Sequence, residues 1–165
     1  MARVSDCPPG GEFAVCGEGA LRATLQTHPG VQEGWLELPG SISSEQILDR
    51  MKKSWIVVVP TRPVFPEALP VVIIEALSTR TPAVLSDHPI FREYFTEDQG
   101  VRLFPAGSAE ALAATLMKVA AADPDVYRRL SEGTAAVRHS LQIECRLHHL
   151  LERFARESGL WSNGD

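Results

Sequence analysis

The chain is short of the features that mark a disulfide scaffold, a membrane span or a nucleic-acid surface. Its three cysteines, Cys7, Cys16 and Cys145, are odd in number, scattered and without a CxxC pair, which argues for reduced thiols rather than a disulfide framework. The longest apolar runs, Trp55 to Pro60 and Leu69 to Ile74, fall far short of the ~18 residues that span a bilayer. Met1 to Gly11 lacks the basic start and apolar centre of a signal peptide. Acidic residues outnumber basic ones, 21 to 16, for a formal charge of −5, so there is no electrostatic footprint for nucleic acid or an anionic membrane. These absences predict a cytoplasmic protein with no transmembrane segment and no nucleic-acid partner. The 165 residues suffice for one ordinary domain with its own core, and are too few for two large ones.

What is present is an alternation of periods. Phe13 to Cys16, Trp35 to Leu38, Trp55 to Val59, Ala83 to Ser86 and Val101 to Phe104 are short β-branched or aromatic runs, several bounded by Gly or Pro, and read as strands. Between them, Ala20 to Thr27, Ser44 to Lys53, Pro70 to Thr79 and a short stretch from Pro89 read as helices. Ser43-Ser44-Glu45-Gln46 and Ser108-Ala-Glu110 supply helix N-caps. Strands alternating with helices predict an α/β fold, a Rossmann-like parallel sheet with helices on both faces. Ile56 to Val59 has no polar alternation, as a strand buried on both faces should not. Residues 1–12, containing Cys7-Pro-Pro-Gly-Gly11, read as a flexible leader, 13–122 as the Rossmann-like domain, and 123–165 as a C-terminal helical segment and tail. Asp123-Pro-Asp125 breaks the long helix that ends near Ala122.

One segment combines two carboxylates with a helix start. In Phe65-Pro-Glu-Ala-Leu-Pro-Val-Val-Ile-Ile-Glu-Ala-Leu77, Glu67 and Glu75 are separated by seven residues. Glu75 interrupts an apolar run, where an unpaired carboxylate is costly to bury. Pro70 suits the first turn of a helix, leaving the N–H groups of Val71 and Val72 unbonded at its N-terminus, a place that holds phosphate well. The plainer reading is that Glu75 lies on the rim of an amphipathic helix and Glu67 complements the dipole.

In an open α/β sheet, ligands bind beyond the carboxyl ends of the strands. The segments there are Gly17-Glu18-Gly19, Gly40-Ser41-Ile42, Thr61-Arg62 leading to Glu67, and Asp87-His88-Pro89. Gly17 and Gly19 either let a ligand approach the backbone or simply form a turn. They lack the third glycine of a dinucleotide fingerprint, so NAD is not favoured. Asp87-His88 is either an acid/base pair or a helix entry. His148, four residues from both Glu144 and Glu152, has the spacing of a metal motif and equally of surface charge pairs.

In order, Val15-Cys-Gly-Glu-Gly-Ala-Leu-Arg22, Leu38-Pro-Gly-Ser-Ile-Ser43, Val58-Val-Pro-Thr61, Pro66-Glu-Ala-Leu-Pro-Val-Val-Ile-Ile-Glu-Ala-Leu77, Arg80-Thr-Pro-Ala-Val-Leu-Ser-Asp87 and Phe104-Pro-Ala-Gly-Ser-Ala-Glu-Ala-Leu-Ala113 resemble the C-terminal, donor-binding domain of family 4 glycosyltransferases. The resemblance covers about residues 13 to 122. It implies a GT-B fold of two Rossmann-like domains and transfer of a sugar, with retention, from a nucleotide-sugar donor, with no cofactor and no metal. Glu67 and Glu75 then match the family's E-x7-E motif, Glu67 as the catalytic carboxylate near the donor sugar and Glu75 as the one bonded to the ribose. Ala68, Leu69, Pro70, Val71 and Val72 match the backbone lying against sugar and diphosphate, and Gly40, Ser41 and Ile42 the loop beside the base.

The chain departs from the family in two places. Ala68 stands where the family usually has glycine. The family's Arg and Lys that neutralise the diphosphate follow a strand that would precede Phe13, and nothing in Met1 to Glu12 matches them. With the acceptor-binding N-terminal domain also unmatched, the expectation is half of an enzyme, a truncated homologue, or a subunit completed by a partner chain. The alternatives are half of a nucleotide-sugar epimerase and a non-catalytic nucleotide-binding or interaction module.

Overall fold

The computed structural model describes residues 11–64, 71–96, 100–140 and 157. Strands and helices alternate along them: β1 (Phe13–Cys16), α1 (Arg22–Gln26), α2 (Pro29–Gln32), β2 (Leu36–Gly40), α3 (Ser44–Lys53), β3 (Val57–Val59), α4 (Val71–Ser78), β4 (Ala83–Ser86), α5 (Pro89–Tyr94), β5 (Val101–Phe104), α6 (Ala109–Ala120) and α7 (Pro124–Ser140). Every strand pairing is parallel, as the alternation predicts. The strands fall into two sheets, β1-β2 and β3-β4-β5. Val57 pairs with Ala83 and Ala83 with Val101, while Phe13 pairs with Leu36 and an irregularity after Ala14 sets Cys16 opposite Gly40.

The absence of polar alternation in β4 has its cause in the core. Ala83 and Leu85 point to one face, where they pack with Ile73 and Leu77 of α4 and with Phe91 of α5. Val84 points to the other, against Phe104, Val119 of α6 and Leu130 of α7. Helices therefore cover both faces of the three-stranded sheet, and all four β4 residues are buried. The strand β1 is covered less well: Val15 is 46% exposed and Ala14 and Cys16 are exposed as well.

Local chemistry sets the helix ends. Ser43 and Gln46 form a reciprocal capping box at α3. Asp123 accepts a hydrogen bond from the Asp125 N–H at 2.8 Å, so Asp123-Pro-Asp125 ends α6 and opens α7. The helix α2 was not expected from the sequence. His28 caps it, its Nδ1 accepting from the Gly30 N–H at 3.1 Å. A Cβ at Gly30 would sit 2.4 Å from the Trp35 ring, so only glycine fits there.

Helix α3 joins the two sheets, and α7 is anchored on the β3-β4-β5 side. In α3, Arg50 makes a bidentate pair with Glu37 of β2 at 2.6 and 2.7 Å. The buried Met51 beside it gives its carbonyl to the Thr81 hydroxyl at 2.6 Å, tying β2 to the segment that enters β4. In α7, Ser131 donates to the Arg80 carbonyl at 2.8 Å, and Thr134 is fully buried against Gly100.

Candidate functional site

The turns after β1 and β2 form one surface at the carboxyl ends of their strands. Gly17 has φ +118° and Gly40 φ +76°, the left-handed region that favours glycine. The Gly17 N–H donates to the Gly40 carbonyl at 2.8 Å. Gly40 is buried, Ser41 exposed and Ile42 half-buried before the Ser43 cap, and Gly19 is exposed in the turn after β1. The structure thus brings Gly17, Gly19, Gly40, Ser41 and Ile42 together.

Thr61 is half-buried in the segment that leaves β3. Glu67, Ala68, Leu69 and Pro70 lie outside the described residues, as does the set of His148, Glu144 and Glu152. Val71 and Val72 open α4, Val71 being 66% exposed and Val72 half-buried. Glu75 is half-buried between the buried positions Ile73, Ala76 and Leu77 and the exposed Val71 and Ser78. Its carboxylate has no hydrogen-bond or ion-pair partner among the described residues. A half-sheltered charge on a rim satisfies the plainer reading, and equally leaves two acceptor oxygens free for a ligand.

At the end of β4 the helix-entry alternative holds, with His88 rather than Asp87 as the cap. His88 Nδ1 accepts from the Ile90 N–H at 3.4 Å, Pro89 takes the first helical position of α5, and the imidazole packs on Phe91 with ring centroids 5.4 Å apart. Asp87 is engaged bidentately by Arg92. Hydrogen bonds from that guanidinium hold the Asp87 carboxyl below its ordinary range, against the opposing effect of burial, with charge attraction adding to the lowering. Just before it, Ser86 Oγ is fully buried without a partner among the described residues.

Sequence reasoning overlooked Arg22, Ser86 and Arg92. Arg22 was legible in principle, since Glu18 four residues earlier is an ion-pair spacing and the two lie 3.2 Å apart. Nothing in the sequence marks Ser86, an ordinary strand-end serine until its surroundings close.

Parallel strands, helices on both faces and glycine turns at the strand ends define a Rossmann-like α/β domain. Residues 11–136 match the family model described as glycosyl transferases group 1, and the chain belongs to that family. It is 28% identical over 152 residues to the amylovoran biosynthesis glycosyltransferase AmsK of Erwinia amylovora, a match covering 87% of this chain and 37% of AmsK. Its fold is similar to that of sucrose-phosphate synthase from Thermosynechococcus elongatus, with a TM-score of 0.72, 21% identity, and coverage of 92% of this chain and 39% of the synthase. It is also similar to Anabaena Alr3699/HepE in complex with UDP-glucose, with a TM-score of 0.69, 17% identity, and coverage of 94% and 42%. The chain spans well under half the length of each of these relatives. No helix among the described residues is long and apolar enough to cross a membrane.

Proposed function

We propose that this chain is the donor-binding part of a retaining glycosyltransferase that moves a hexosyl-type sugar from a nucleoside-diphosphate donor. Glu75 is the observation that carries the donor reading: a half-buried carboxylate, unpaired among the described residues, on the helix that follows β3 in a member of the group 1 glycosyl transferases. The similar HepE structure, which holds UDP-glucose, supports the same donor class here.

In this reading Glu75 accepts hydrogen bonds from a ribose. The backbone from Ala68 to Val72 lies along sugar and diphosphate, and the N-terminus of α4 stabilises the negative charge that gathers on the leaving diphosphate. Glu67 orients the sugar and favours an oxocarbenium-like centre. Gly40, Ser41 and Ile42 flank the base, Thr61 and the turn of Gly17 and Gly19 complete the rim, and no metal or cofactor takes part. Residues 13–122 form the donor unit and 123–165 its C-terminal helical segment. An acceptor-binding N-terminal domain or a partner chain closes the other side of the cleft. The cytoplasm is the proposed location.

The test is calorimetric titration of the chain with UDP, ADP and GDP and their glucose conjugates. Binding of one of these is expected, and Glu75→Ala should weaken it by about 1–3 kcal/mol through loss of the ribose hydrogen bonds. Unchanged affinity in a variant whose circular dichroism matches the parent removes Glu75 from the site.

A further inference from the structure

Arg22 bridges the turn after β1 and the end of β2. Its guanidinium donates through Nη2 to the Leu38 carbonyl at 3.3 Å and through Nη1 to the Gly17 carbonyl at 3.5 Å. Nη1 also lies 3.2 Å from Glu18 Oε1. That carboxylate in turn covers Gly40, where a Cβ would fall 2.7 Å from Glu18 Oε1 and 3.4 Å from Arg22 Nη1. With the Gly17 N–H bonded to the Gly40 carbonyl, the ends of β1 and β2 are laced together by one backbone bond and one side chain.

We infer that Arg22 is a positioning residue that fixes the Gly40–Ile42 turn as the wall against the nucleobase, and so sets which base the chain prefers; this rests on the donor-binding reading above. The geometry asks for arginine. A guanidinium presents several donors in a rigid plane and can serve carbonyls of two strands while pairing with a carboxylate, whereas an ammonium is one compact point of charge. Glu18 keeps that plane oriented. A wall held in place before the ligand arrives spares the ordering cost that a loose turn would impose on binding. The side chains of Arg22 and Glu18 remain 30% and 56% exposed, so the pair adds little to global stability and its effect is local.

The experiment uses the full chain, Arg22→Ala and Arg22→Lys, with UDP, ADP, GDP and inorganic pyrophosphate as probes. Pyrophosphate has no base and is the control for the diphosphate cradle. In Arg22→Ala the preferred nucleoside diphosphate should lose about tenfold in affinity and the spread among the three should narrow, as expected when a pre-formed contact surface loosens. Pyrophosphate affinity should stay as in the parent. Backbone amides at Gly40, Ser41 and Ile42 should exchange about tenfold faster or more, and lysine should restore none of this. An equal loss for pyrophosphate, a full rescue by lysine, or a base spread and exchange rates that do not move would each overturn the role. If the parent chain binds none of the three nucleotides, the donor reading fails and the base-setting role falls with it. If the parent binds them and Arg22→Ala keeps the same spread, the donor reading stands and the Arg22 inference alone is lost.

Discussion

Asp87 and Arg92 make a bidentate contact across the entrance to α5, and the contact should give stability a dependence on acid. Because the guanidinium lowers the Asp87 pKa in the folded chain, the unfolded chain binds the proton more readily. The stabilisation is therefore complete above the unfolded carboxyl pKa of about 3.9 and is lost as pH falls through the lower folded value. Arg92→Met removes the partner and returns Asp87 toward its ordinary range. The melting temperature of the parent should exceed that of the variant at neutral pH, and the gap should close in strong acid. A gap that stays constant through the acid range would show that Arg92 acts by packing alone. The neighbouring Ser86 hydroxyl makes no comparable contribution, being buried without a partner among the described residues.

At the scale of elements, the core around α6 and α7 depends on a few contacts. Leu130 is 4% exposed and packs with Val84, Phe104 and Val119. Leu130→Ala should cost about 2–5 kcal/mol, the range for deleting a buried leucine side chain and leaving a cavity, measured by urea denaturation. A loss below 1 kcal/mol would mean that α7 is not held to the sheet through this residue. These same elements show what a sequence can and cannot disclose. The β-branched run Val57–Val59, the short apolar run that opens at Ala83 and the caps Ser43 and Ser108 were legible, because pattern and end signals agree there. The helix α2 was not, since its signal is a single His-Pro pair and its reason is Trp35 lying over Gly30, a tertiary contact. The partition into two sheets was hidden as well, because period and propensity report that a strand exists and not which neighbour it pairs with. At the site, Glu75 stood out by interrupting an apolar run, while Arg22 was unreadable as a clamp because its partners are the backbone carbonyls of Gly17 and Leu38.

For the molecule as a whole, the partition predicts unequal local stability. The sheet β3-β4-β5 is covered on both faces and holds the fully buried Leu85, Val84 and Val101. The sheet β1-β2 has exposed apolar residues along β1 and is tied to the rest chiefly through α3, by Arg50 to Glu37 and by the Met51 carbonyl to Thr81. Opening free energies range from near zero in weakly packed segments to the global value in core strands. Amides of β4 should therefore exchange only on global unfolding, and those of β1 and β2 about 100-fold faster or more. The site gives this gradient a use as a test. In the proposed donor-binding reading a nucleoside diphosphate lies across the turns of β1 and β2 and against α4 and binds only when all are in place, so it should stabilise the weaker sheet by about 2.7 kcal/mol at a concentration 100 times its Kd. Exchange in β1 and β2 should slow by about 100-fold, while β4, already at the global limit, shifts only as far as global stability itself rises. Protection that appears at α4 but leaves the ends of β1 and β2 unchanged would mean that the ligand meets the diphosphate cradle without the base wall, and that the two sheets do not share one site.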